Sequence, residues 1–140
     1  MTSRSDRVSI AILDLGIKGL DGYSIVKTAD GYIGASFNYL PSTPNTSIAL
    51  FNRGGFNRSQ REETSRYSNL SLQFTIRSES SKKGLEIGEI VVDNLHGFSG
   101  FADSVHILDC QAEQGEPIPI GQDDSGIHEF TVNFAVTYNI

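Results

Sequence analysis

The run Phe130-Thr131-Val132-Asn133-Phe134-Ala135-Val136-Thr137-Tyr138 decides the fold class. Phe130, Val132, Phe134, Val136 and Tyr138 alternate with Thr131, Asn133, Ala135 and Thr137. That is the period of a strand turning one face to a core. Residues 69–77 repeat it, with Leu70, Leu72, Phe74 and Ile76 set against Ser71, Gln73, Thr75 and Arg77. One face is apolar and the other polar, as in a sheet covered on one side. Thr46 to Phe51 and residues 104–112 read as further strands, and Ile118 with Ile120 as a short edge piece. Pro117 and Pro119 bar a central position there, because proline cannot donate to a ladder.

Two stretches change to a helical period. Val8, Ile12 and Leu15 share one face, predicting a helix over about 6–18 capped by Ser5 or Asp6. Ile87, Val91 and Leu95 recur at i, i+4 and i+8, predicting a helix from Ser80 or Ser81 to Leu95 with Gly97 as its stop. Gly84 and Gly88 inside it cost about 1 kcal/mol each relative to Ala, but their spacing suits close packing against a strand or a neighbour. Between the first helix and the first strand, Gly19, Gly22, Gly31 and Gly34 punctuate short irregular strands, and Pro41 to Asn45 is a turn. Residues 52–66 have no period and form a long loop. The expected fold is α+β, a single domain with a mostly antiparallel sheet and helices packed on one face.

The 140 residues suit one domain, and 38% hydrophobic with 20% charged residues is a globular composition. The formal charge of −6 excludes a globally basic nucleic-acid binder. The polar N-terminus lacks the apolar run of a signal peptide, and no segment is long and apolar enough to span a bilayer. A soluble chain made in a cytoplasm, without a membrane partner, is expected. Cys110 is the only cysteine, so a disulfide framework and a Cys-rich zinc site are both excluded, and the thiol reads as buried and structural.

Candidate chemistry is sparse. No nucleophile elbow, phosphate loop or metalloprotease motif occurs, and His96, His106 and His128 show no helical ligand spacing. His96 reads as a helix-end residue and His106 as a strand-surface residue. Cys110 and His106, at i and i+4 of a strand, share one face but lie about 13 Å apart, too far for a nucleophile–base pair. Asp123, Asp124 and Gly126 look like part of a calcium loop whose other ligands are missing, so they read as a turn. No catalytic residue, metal or cofactor is expected. An enzyme built on His128 and Glu129 is disfavoured, because neighbours in a strand point to opposite faces.

The charges are unevenly placed. Residues 1–83 hold 11 bases and 7 acids, a balance of +4, whereas residues 84–140 hold 10 acids and neither Lys nor Arg, a balance of −10. Such a chain suits head-to-tail packing on copies of itself, and heterologous contacts of this kind close into rings when the rotation allows. Arg53, Arg58, Arg61 and Arg66 cluster on the long loop, beside Glu62 and Glu63. They suit either an acidic neighbouring subunit, which is slightly favoured, or the phosphates of DNA, touched without reading bases.

Residues 116–134 carry a family resemblance. Pro119, Gly121 and Asp123, then Gly126, His128, Glu129 and Phe130, then Asn133 and Phe134, resemble the Pro-hydrophobic-x-Gly-x-Asp turn, the Gly-x-His-Glu-Phe step and the Asn-Phe closing strand of phage tail-terminator proteins. That family is also filed as phage minor capsid proteins. Pro41-x-x-Pro44, Ile48 to Phe51, Gly54-Gly55 and Asn94 to Gly97 are similar to its upstream features. Gln122 departs from the pattern, standing where a basic residue is expected. The resemblance implies a virion protein that forms a homohexameric ring at the head-proximal end of the tail tube. It implies tail tube protein on one side and the head connector or stopper on the other. Another neck component, such as a head-completion or stopper protein, is the alternative. Phe130 and Phe134 are expected to pack on the helices, with Glu129 and Asn133 facing out.

Overall fold

A computed structural model of the chain describes residues 4–29, 31–40, 45–54, 68–102 and 104–139. Along the chain run α1 (Arg4–Gly16), a 3-10 turn (Asp21–Tyr23), β1 (Val26–Thr28), β2 (Gly31–Ile33), β3 (Ala35–Phe37), β4 (Ser47–Asn52) and β5 (Ser68–Ser78). Then follow α2 (Ser81–Leu95), β6 (Gly100–Ala102), β7 (Val105–Ala112), β8 (Ile118–Gln122) and β9 (His128–Asn139). Residues 41–44 of the expected turn and 55–66 of the expected long loop, with Arg58, Arg61 and Arg66, lie outside the described residues, as does residue 67.

The closing strand is the spine of the sheet. β5 and β9 pair antiparallel along their length, from Ser68 opposite Tyr138 to Ser78 opposite His128. Among the described residues the main sheet has the order β3-β4-β5-β9-β7-β6, with β8 also paired to β9. β7 takes the C-terminal part of the free edge of β9 and β8 takes its N-terminal part. All of these ladders are antiparallel except β3 with β4, which is parallel. β1 and β2 form a separate hairpin, tied to α1 by Tyr32 Oη and Lys27 Nζ, which donate to the two oxygens of Asp14 at 2.6 and 3.2 Å.

Both helices lie on the face that carries Phe74, Ile76, Phe130 and Phe134. Gly84 of α2 sits against the Phe130 ring, Gly88 against Ile76, and Gly16 of α1 against Phe74. Val8, Ile12, Ile87, Val91 and Leu95, at the predicted helical spacings, are fully buried in this core. Phe74 and Phe134 meet edge to face, with centroids 5.7 Å apart. Asn94 of α2 donates from Nδ2 to the carbonyls of Gly16 and Lys18 at 3.0 and 2.8 Å. Those bonds satisfy carbonyls that a helix end leaves without an intrahelical partner.

Three expectations change. α1 begins at Arg4, so Asp6 lies in its first turn instead of ahead of it. The α2 cap is not among them, since Ser80 was one of its two candidates and its hydroxyl accepts from the Lys83 amide. The outward face of β5 is not simply solvated, since Thr75, Arg77 and, across the ladder, Thr131 are each only 7% exposed. Thr75 and Thr131 oppose each other, flanked by Ala49 of β4 and Ile118 of β8, so these short side chains have neighbours on both sides. The third change concerns His106 and Cys110. A bulge between Ile107 and Asp109 adds a residue to β7. Ile107 and Cys110 therefore both turn into the core, and His106 turns the other way, stacked on Phe101. The two residues do not share a face, and the bulge is the reason.

Candidate functional site

The motif residues of the sequence meet at the β8–β9 connection. Asp123 organises it. Its Oδ1 accepts from the amides of Ser125 and Ile127 at 2.8 and 3.0 Å. Its own amide donates to the Ile127 carbonyl, and its carbonyl accepts from the Gly126 amide, both at 2.9 Å. This is an Asx-type turn, in which a short carboxylate replaces backbone partners. Gly126 closes it at φ +81°, a left-handed conformation that costs glycine no Cβ clash. Residues 123–127 thus form the turn that the sequence predicted. Gln122 lies across it, with Nε2 donating to the Gly126 carbonyl at 3.1 Å and standing 3.3 Å from Nε2 of His128.

The cation at this turn comes from elsewhere. Arg77 of β5 donates from Nη2 to Oδ2 of Asp123 at 2.7 Å, with side-chain exposures of 8% and 25%. The pair ties the β8–β9 turn to the centre of the sheet. The Arg77 guanidinium, followed by the Ile127 amide, holds the Asp123 carboxyl below the ordinary carboxylate range. A carboxylate depressed in the folded state adds stability above its unfolded pKa, about 3.9, and the contribution is lost as pH falls through the folded value. Asp123→Asn should thus melt below the parent near neutral pH. The gap should narrow as pH falls from about 6 to about 2. A gap that stays constant over that range, followed by thermal melts, would sink this account.

Along β9 the motif residues divide by parity. Phe130 and Phe134 are buried on the helix face, and Glu129 and Asn133 lie half-buried on the other. Asn133 is held by Gln114, whose Oε1 accepts from its amide at 2.9 Å. His128 and Glu129 are split between the two faces, opposite Ser78 and Arg77 of β5. Pro119 is exposed, and the neighbouring Pro117 is the buried proline, seated against Gly88. Arg77 and Pro117 are the two residues whose part in this site the sequence did not announce. Arg77 had appeared only as the polar member of an alternation and Pro117 only as a strand breaker.

Arg53 lies outside this cluster. It is exposed at the end of β4, where Nε donates to Oε1 of Gln73 at 2.7 Å and the guanidinium stands 5.4 Å from the centre of the Phe51 ring. The step from Gln73 to Arg77 along β5 covers roughly 13 Å. Residues 54 and 68, which flank 55–67, stand at the end of the β4–β5 ladder away from the 123–127 turn. The Arg53 end of the sheet and the β8–β9 turn are thus separate places on one subunit. Exposed acids flank β8, with Glu113 and Glu116 before it and Asp124 after it. Glu89 and Asp93 are exposed on α2, and Glu86 accepts from the Tyr23 hydroxyl at 2.9 Å.

Among the described residues no three His, Cys, Asp or Glu side chains cluster as a metal site, and no helix is long and apolar enough to cross a membrane. Burial, helped by the Asp109 charge, pushes the Cys110 thiol up to about 12. It is therefore protonated near neutral pH and a poor nucleophile.

A family model described as bacteriophage tail terminator protein matches residues 9–140. No curated protein matches the chain. Among solved structures, a chain of the virion of a native gene transfer agent particle shares the fold with a TM-score of 0.56 and 8% identity. That match covers 75% of this chain and 78% of the other.

Proposed function

The chain belongs to the bacteriophage tail terminator family, and we propose that it closes into a homohexameric ring that caps the tail tube and docks it to the head connector or stopper. It is then a structural virion component and not an enzyme. The observation that carries this reading is the separation of charge. The bases lie in residues 1–83 and the surplus acids in 84–140, and Arg53 stands apart from the β8–β9 turn on the sheet. Arg77 is already paired with Asp123 inside the subunit, but Arg53 stands away from the exposed acids around β8, and charges separated in this way meet when copies pack head to tail. Likeness to a chain of a gene transfer agent virion agrees with a place in a particle.

In this reading Arg58 and Arg61 reach the acidic half of the next subunit. Charge reversal at both should weaken ring assembly, most visibly at low salt, because at about 0.1 M the Debye length is already about 10 Å. Native mass spectrometry of the variant against the parent measures it. Normal assembly at low salt would move these arginines from the interface to the passing genome. The ring itself is tested by adding purified protein to tail tubes and imaging them. A protein that remains monomeric at high concentration and leaves tube ends bare overturns the proposal.

A further inference from the structure

β8 is the least covered strand among the described residues. All five of its residues are exposed, with Ile118 at 40% and Ile120 at 53%. β-branched apolar side chains are costly to leave in water, worth roughly 25 cal/mol for each Å² that a partner would bury. The strand also cannot recruit a partner by ordinary strand addition. Pro117 and Pro119 offer no N–H, and a bulge between Pro119 and Gly121 breaks the regular ladder. Whatever meets this edge must do so through side chains. Those side chains are two isoleucines flanked by Glu113, Glu116 and Asp124, with no Lys or Arg after Lys83.

The opposite chemistry lies at the end of β4. Phe51 is half-buried and its ring stands under the Arg53 guanidinium, so an aromatic face and a cation are presented together. Gln73 fixes the Arg53 side chain from below. An apolar, acidic edge and an apolar, basic end complement each other in both sign and hydrophobicity, and they stand apart on one subunit. We infer that Ile118 and Ile120 of one copy dock on the Phe51–Arg53 end of the next, as the apolar centre of a head-to-tail subunit contact. The inference rests on the ring reading and names the surface through which it closes.

Two measurements test it, with native mass spectrometry of the parent as the reference. The first replaces both isoleucines, Ile118→Ser with Ile120→Ser. Ile120 is exposed and Ile118 is partly covered beside Thr131, so the monomer should melt within a few degrees of the parent, while the subunit dissociation constant rises about 10- to 100-fold. The second uses cysteine pairs. Ile120→Cys and Arg53→Cys proteins are mixed and treated with a short bismaleimide, and the buried native Cys110 stays silent. Cross-links between the two variants, absent when either is treated alone, are the expected result. Cross-links of Ile120→Cys protein to itself would mean an isologous contact and overturn the inference. So would a parent that forms rings while neither measurement differs from the control. A parent that never associates fails earlier, at the ring reading itself.

Discussion

Phe134→Ala is expected to lower the melting temperature by roughly 10–20 °C. Phe134 is fully buried, shares the core with both helices and meets Phe74 edge to face. Truncating such a ring loses its transfer free energy and leaves a cavity, together about 3–5 kcal/mol. In a domain of this size each kcal/mol moves the midpoint by about 3–4 °C. The site has little freedom to collapse. On the two flanking strands Phe134 stands opposite Leu72 and Ala112, which are held by long ladders. Phe101→Ala provides the contrast, since that residue is 73% exposed and its ring stacks on His106 at the edge of the sheet. It should cost about 1 kcal/mol or less. Thermal or urea unfolding of both variants decides the matter. Equal losses would mean that β9 is not the spine of the core.

That prediction was legible in the sequence, because a two-residue period over 130–138 both names the strand and assigns each side chain a face. The same holds for residues 69–77, for α2 with its Ser80 cap, and for the Asp123–Gly126 turn, each dictated by side chains close in sequence. Features that depend on register were hidden. Arg77 reaches Asp123 across 46 positions, and nothing local marks it as a partner of that turn. The β7 bulge moved His106 and Cys110 to opposite faces, and single-residue slips leave no trace in an alternating pattern. The near-burial of Thr75 and Thr131 was hidden for the same reason, since it follows from which strands flank them. Charge separation could be counted along the chain, but only the sheet order shows that Arg53 and the β8–β9 turn occupy different places.

Gly84→Ala and Gly88→Ala set two well-measured effects against each other. On helix propensity alone each should stabilise α2 by about 1 kcal/mol. Packing says the reverse. A Cβ at Gly84 would stand 2.4 Å from Cε2 of Phe130, and one at Gly88 would stand 2.1 Å from Cγ of Pro117. Both obstacles are rings, one in the core and one held between α2 and β8, so neither can swing aside as the end of a flexible chain would. Overpacking of this kind costs about 3 kcal/mol at its upper range. Packing therefore wins by about 2 kcal/mol at each position, and the double variant should lose less than the sum of about 4 kcal/mol, because the two sites lie about 6 Å apart on one helix and one shift of α2 relieves both clashes. The Gly84 contact also predicts a rescue. Phe130→Leu removes the ring edge that the new methyl strikes, so Gly84→Ala should cost less in that background than in the parent, a positive coupling in a double-mutant cycle. If either alanine raises the melting temperature, α2 rides farther from the sheet than this packing requires. The four-residue glycine spacing would then have to be explained by something other than a close helix–strand approach.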